Sequence, residues 1–156
     1  METIPNRGAR VATISREDME DLYRVRILLE TSAIRESAPL TEEEIAEITV
    51  MLDELKEAAM AGDHDRALAL HRQYHFRLYG RTESRWLLTL IDLLWKHTER
   101  YQRLSLPFRH DAADDEHRTV MDHLAAGDPD GAAEALRNHL ETTARLVADA
   151  YPPEGD

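Results

Sequence analysis

The sequence predicts an all-α protein, an antiparallel bundle of about six helices, and three observations carry that expectation. The first is composition: 156 residues include only 6 glycines and 2 phenylalanines against abundant Ala, Leu, Glu and Arg, which favours helix over strand. The second is spacing, because apolar residues recur three and four apart along successive segments, as on helices with one buried face. The third is punctuation. Pro39, Gly62, Gly80, Pro107, Gly127 and Pro152-Pro153 cut the chain into helix-length pieces joined by short links. A chain of this length holds one domain with a sizeable core, and it shows no internal repeat.

Residues 1–16 contain Pro5, Gly8 and the alternating stretch Ala9 to Ile14, which reads as a short strand or extended arm. Ser15 is placed to cap a first helix over about Glu17–Ser37, with Asp18 as the acidic member of a capping box. Its apolar face would include Leu22, Val25, Leu29 and Ala33. Arg26 falls on that same face. Spacing alone leaves two readings for it: an internal ion pair with Glu30 at i+4, the commoner outcome, or a guanidinium directed into a pocket to hold a carboxylate or phosphate.

The second helix has a clear start. Thr41 caps it, Glu44 completes a capping box, and Leu40 can staple onto Ile45. Ile45, Ile48, Leu52, Leu55 and Ala59 then form a bundle seam that ends at Gly62. A third helix from Asp63 to Gly80 carries Ala67, Leu68, His71, Tyr74, His75 and Leu78 on one broad face. A fourth follows Ser84, with an expected seam of Leu87, Leu90, Leu94, His97, Tyr101 and Leu104 until Pro107. Residues 107–114 read as a polar connection. A fifth helix then turns Ala113, His117, Val120, Met121 and Leu124 inward and stops at Gly127. The sixth begins at Asp128-Pro129, with proline at the first helical position, and buries Ala132, Leu136, His139, Leu140, Thr143 and Val147. The domain is expected over 17–151, with a short acidic tail at 152–156.

Composition also limits function. No apolar run approaches the roughly 20 residues of a membrane span, and no signal peptide opens the chain. Cysteine is absent, which excludes disulfides and thiolate metal sites and suits a cytoplasmic protein. The formal charge is −12, so the phosphate backbone should repel this chain, and specific DNA binding by it alone is not expected.

The chemistry-bearing residues are histidines. His71 and His75 are four residues apart, which stacks two imidazoles on one helix face. His117 and His139 fall on the core-facing stripes of two other helices. A neutral imidazole buried without a partner costs on the order of 1–3 kcal/mol, and four such residues together point to a shared metal ion. Three or four imidazoles suit Zn²⁺, with Ni²⁺, Co²⁺, Cu²⁺ or Fe²⁺ also compatible, and Glu116 or a water is available for a remaining position. Arg72 stands where an H-E-x-x-H motif would put its glutamate. His97 is compatible with either a cavity lining or a core hydrogen bond, and His64, His110 and His123 need only exposure.

Several local patterns together resemble the FCD class of effector-binding domain in GntR-type bacterial transcriptional regulators. They are Asp21-Leu22-Tyr23-Arg24-Val25-Arg26 with Glu30, the Tyr74-His75 step, Glu116-His117, Ala125-Ala126-Gly127-Asp128 and Arg137-Asn138-His139-Leu140. The resemblance runs from about residue 4 to 148. It implies a six- or seven-helix bundle that acts as a homodimer, with a divalent metal, Zn or Ni foremost, and a small carboxylate effector. His75, His117 and His139 match the family's three histidine ligands, and Arg26 matches the arginine at the effector pocket. The family's aspartate ligand is His71 here, and Ser84 replaces a frequent asparagine. Residues 4–11 resemble the end of a winged-helix wing, so the chain reads as a sensor domain whose DNA-binding part would precede it. Two other functional classes stay open from the residues: a hydrolase-like enzyme, for which Glu116 is the one nearby general base, and a metal-free dimerisation domain. The expected assignment is not an enzyme.

Overall fold

The computed structural model describes residues 15–105 and 110–150, and every regular element among them is a helix. In chain order these are α1 (Arg16–Arg35), α2 (Glu42–Met60), α3 (His64–Leu78), α4 (Arg85–Ser105), α5 (His110–Ala125) and α6 (Pro129–Ala150). The all-α bundle of six helices expected from the sequence is therefore present. Helix α6 packs on α1, α5 and α4, while α2 packs on α3 and α5. One continuous core results, running from Met19 and Ile34 through Ile48, Leu52, Leu78, Ile91 and Trp95 to Leu124, Leu136 and Val147.

Helix ends follow their local chemistry. The Ser15 hydroxyl accepts from the Asp18 N–H at 3.1 Å. The Asp18 carboxylate does not complete the expected box: it accepts from the Tyr101 hydroxyl at 2.9 Å, tying α1 to α4. At α2 both halves of the capping box are made, Glu44 N–H to Thr41 Oγ1 at 3.2 Å and Thr41 N–H to Glu44 Oε2 at 2.8 Å. The Thr41 amide foremost, with Arg81 beside it, holds the Glu44 carboxyl down to about 2. Gly62 and Gly127 close α2 and α5 at φ of 73° and 71°, a left-handed conformation that side chains disfavour. Asp128 Oδ1 accepts from the Gly131 N–H at 2.9 Å, and its Oδ2 meets His123 Nδ1 at 2.8 Å. His123 is thus part of the α5–α6 corner rather than simply exposed. A Cβ at position 131 would meet Asp128 Oδ2 and His123 Nδ1, so a side chain there would displace this His123–Asp128 contact.

Three expectations are corrected. On α1 the buried arc runs through Met19, Tyr23, Arg26, Glu30, Ala33 and Ile34, and Val25 is 37% exposed. The helix is wedged between α6 and α4, and a paired Arg26–Glu30 is tolerated inside because each neutralises the other. On α4 the buried side is Ile91, Trp95, Thr98, Tyr101 and Gln102, whereas Leu90 and His97 face outward. Two apolar stripes compete on this helix, and Trp95, the largest fully buried side chain, decides which one turns inward. Helix α5 begins at His110, not after a polar connection ending at 114. Asp114 is accommodated within it by Lys56 Nζ at 3.3 Å and Arg118 Nε at 3.1 Å. The expected arm, the stop at Pro107 and the tail lie outside the described residues, as does the Leu104 side chain.

Cap and core should separate on mutation. Thr41→Ala removes the cap acceptor and is expected to destabilise by about 0.5–2 kcal/mol. Leu52, 0% exposed, leaves a cavity as Leu52→Ala and should destabilise by about 2–5 kcal/mol. Urea unfolding followed by circular dichroism measures both, and equal midpoints for the two variants would contradict this account.

Candidate metal centre

Three helices deliver the four histidines. His71 and His75 rise one turn apart from α3, His117 comes from α5 and His139 from α6. They are 7%, 0%, 3% and 2% exposed. Each directs a ring nitrogen inward, and these four atoms all lie within 4.8 Å of one another. His75 Nε2 and His71 Nε2 are 3.0 Å apart, and His117 Nε2 and His139 Nε2 are 3.2 Å apart. Tetrahedral zinc with bonds of about 2.0–2.1 Å would separate its donors by about 3.3 Å. The donor chemistry and the spacing therefore fit a divalent ion. The four histidines expected from the sequence, His71 included, are brought together.

The outer nitrogens explain why the inner ones are available. His139 Nδ1 lies 2.7 Å from Glu116 Oε2; a carboxylate only accepts, so the ring proton sits on Nδ1 and Nε2 carries a lone pair. Glu116 thus holds His139 from behind and is not itself among the converging groups. His75 Nδ1 lies 3.2 Å from the Tyr79 hydroxyl oxygen. Burial above all, then the neighbouring His71, His117, His139 and Arg26, push the His75 pKa well below its ordinary 6.5, so this imidazole is neutral and able to ligate. The Tyr74 hydroxyl donates to the His117 carbonyl at 2.7 Å, fixing α3 against α5 beside the cluster. Without a cation, each Nε2···Nε2 contact can be held by a single shared proton.

Arg26 borders this cluster. Its guanidinium carbon sits 4.4 Å from the Trp95 ring centroid, and that ring lies 5.0 Å from His75 and 5.4 Å from His71. Arg26 Nε donates to Glu30 Oε1 at 2.6 Å, with the two side chains 1% and 0% exposed. Burial opposes the Arg26 charge most strongly, but Glu30 together with Tyr23 and Tyr79 outweighs it, and the pKa is raised. The ion pair read from the sequence exists, yet it occupies only Nε. Both terminal nitrogens, Nη1 and Nη2, and the adjacent Trp95 Nε1 are buried donors with no acceptor among the described residues. Buried donors of this kind are rarely left unsatisfied.

Tyr79 and Trp95 were not singled out in the sequence. Tyr79 carried a usable signal, four residues after His75 on the same helix face. Trp95 did not, because the competing leucine stripe on α4 matched a helical period equally well. His97, by contrast, is exposed and plays no part in the cluster.

The family model described as FCD domain matches residues 21–142. The HTH-type transcriptional regulator BphR of Paraburkholderia xenovorans is 28% identical over 156 residues, covering 94% of this chain and 64% of that protein. The chain thus spans under two thirds of this curated relative. Among solved structures, E. coli McbR/YncC is similar at a TM-score of 0.81 and 19% identity, over 89% of this chain and 72% of that one. A GntR-family regulator from Pseudomonas syringae pv. tomato gives a TM-score of 0.70 and 25% identity, over 89% of this chain and 59% of that one. These similar proteins are transcriptional regulators, not enzymes. With helices, histidine cluster and matched residues in agreement, this chain belongs to the FCD domain family of GntR-type transcriptional regulators.

Proposed function

We propose that this domain is the sensing part of a transcriptional regulator: it holds one divalent metal ion, with Zn²⁺ or Ni²⁺ foremost, and binds a small carboxylate effector against it. The convergence of four buried imidazole nitrogens within 4.8 Å carries this reading. His75, His117 and His139 would be ligands, with His71 as the fourth. Arg26 would take the effector's carboxylate through Nη1 and Nη2, the two nitrogens its ion pair leaves without an acceptor. Charge balance supports an anionic effector. A divalent ion and Arg26 together exceed Glu30 and Glu116 by one positive charge, which one carboxylate neutralises in a site of low dielectric. An all-imidazole set leaves the ion its full charge, whereas an aspartate in place of His71 would remove one unit.

The effector would act by linkage: whichever domain geometry binds it more tightly is favoured, and DNA affinity elsewhere in a longer regulator changes reciprocally. DNA contact is assigned to such a separate domain because the −12 charge of this chain opposes phosphate. No described helix is long and apolar enough to cross a membrane. A homodimer is proposed on a different observation. Trp86, Leu90 and Leu93 share one outward face of α4 and are 78%, 44% and 50% exposed, an apolar stripe that a second copy of the chain would cover.

Metal loading has a thermal readout. Zn²⁺ or Ni²⁺ at 100 times its dissociation constant should stabilise the fold by about 2.7 kcal/mol, and His75→Ala should abolish the effect. An unchanged melting temperature with chelator and with added ion would overturn the proposal. The pH dependence has a definite sign. His75 has a folded pKa depressed below 6.5, so the stability it contributes is present above that value and is lost as pH falls beneath it. Protons compete with the ion in the same direction, and melting of both metal-free and loaded protein across pH 8 to 5 checks this.

The effector half is tested separately. Arg26→Ala should spare metal binding but weaken carboxylate binding by about 2–5 kcal/mol. Arg26→Lys should recover only part, since an ammonium lacks the planar fork. Calorimetric titration of metal-loaded variants with a panel of small carboxylates measures this; equal affinity in Arg26→Ala and parent would leave Arg26 a structural ion-pair residue. For the dimer, Leu90→Glu with Leu93→Glu should shift the chain toward monomer in sedimentation, and an unshifted assembly would place the interface elsewhere.

A further inference from the structure

We infer that Tyr79 is a positioning residue for His75, and that Glu30, by accepting from both Tyr79 and Arg26, holds the metal-facing and anion-facing halves of the centre in one buried hydrogen-bonded chain. The inference rests on the metal-and-carboxylate reading above for its functional meaning, though the geometry stands independently of it.

The chain has three links. Arg26 Nε donates to Glu30 Oε1 at 2.6 Å. Glu30 Oε2 accepts from the Tyr79 hydroxyl. The same hydroxyl oxygen lies 3.2 Å from His75 Nδ1. All four side chains are at most 1% exposed, so the chain is shielded from bulk water. Proton counting then fixes the direction of each link. The phenol has one proton and two lone pairs, and an ionised carboxylate has no proton to give. Tyr79 must therefore donate to Glu30, which leaves its oxygen to accept from His75. The proton of His75 is held on Nδ1, and Nε2, 3.0 Å from His71 Nε2, is left as a lone-pair donor facing the cluster.

His139 reaches the same state by a shorter route, with Glu116 directly on its Nδ1. The two supports differ in what else they touch. Glu30 also fixes Arg26 through Nε, and so aims Nη1 and Nη2 away from itself. A displacement of the Glu30 carboxylate would move the Arg26 fork and loosen the His75 ring together. Glu30 and Tyr79 come from α1 and from the end of α3, so the chain also joins the helix that carries the anion-binding arginine to the one that carries two of the histidines.

The test has one readout that needs no metal. Two-bond ¹H–¹⁵N spectra of metal-free protein distinguish the Nδ1–H from the Nε2–H tautomer of each histidine. His75 is expected as Nδ1–H in the parent and as Nε2–H, or as a mixture, in Tyr79→Phe, which keeps the ring and removes only the hydroxyl. His139 should stay Nδ1–H in both proteins and serves as the internal control. The second readout is calorimetric titration with Zn²⁺, in which Tyr79→Phe should bind about 10–100-fold more weakly, as is usual when a ligand loses its outer partner. Glu30→Gln should weaken both Zn²⁺ binding and carboxylate binding, whereas Glu116→Gln should weaken Zn²⁺ binding and leave the Arg26 fork in place. His75 found as Nε2–H in folded parent, or unchanged in tautomer and in Zn²⁺ affinity by Tyr79→Phe, overturns the inference. A parent that shows the Nδ1–H tautomer dependent on Tyr79 but takes up no Zn²⁺ upholds the positioning chain and rejects the metal reading instead. Should Glu30→Gln fail to fold, Tyr79→Phe alone decides.

Discussion

Burying four imidazoles and an ion pair inside a six-helix bundle is the constraint on which the rest of the centre depends. Taking such groups from water is costly wherever a polar atom finds no partner. Some partners are local, Glu30 to Arg26 and Tyr79 to His75, and the others come from another helix. Glu116 on α5 supports His139 on α6, Tyr79 at the end of α3 reaches Glu30 on α1, and Tyr74 on α3 reaches the α5 backbone at His117. The polar interior thus acts as a set of cross-ties as well as a site. The aliphatic core around it, from Ile48 and Leu52 to Leu136 and Val147, keeps the helices near enough for those short contacts.

The groups left over are as informative as those that are paired. Arg26 is neutralised by Glu30, yet its two terminal nitrogens have no acceptor among the described residues, and Trp95 Nε1 beside it is in the same condition. Each such donor is destabilising by about 1–3 kcal/mol while unmet, which is the support for the proposal that an anion is bound here. The histidine pairs are different. Their inner contacts at 3.0 and 3.2 Å can each be kept by a shared proton.

A histidine at position 71 bears on the electrostatics of the cluster rather than on its architecture. The imidazole lies one turn before His75 on α3 and meets it within hydrogen-bonding distance. It adds no negative charge, so an ion here would be compensated by Glu30 and Glu116 only from behind the ligands. Burial already disfavours protonated imidazole, as the depressed pKa of His75 reflects. The same low dielectric that keeps His75 neutral would strengthen the pull of the ion and Arg26 on a carboxylate.

The sequence by itself determined the fold class, most helix limits and the histidine set. Caps such as Thr41-Glu44 and stops such as Gly62 and Gly127 are local chemistry, written in neighbouring residues. The three-four rhythm of α2 and α6 placed Ile48, Leu52, Leu136 and His139 inward, as observed. The tertiary structure decided what depended on contacts between distant segments. It turned α4 so that Trp95 faced the cluster and Leu90 and His97 faced outward, because both stripes had the right period and only packing against α1, α3 and α6 selects between them. It set Tyr79 between His75 and Glu30, and moved Glu116 from candidate ligand to support. Such roles depend on which nitrogen of an imidazole a neighbour reaches, and spacing does not specify that, whether the neighbour is Tyr79 on the same helix or Glu116 on another.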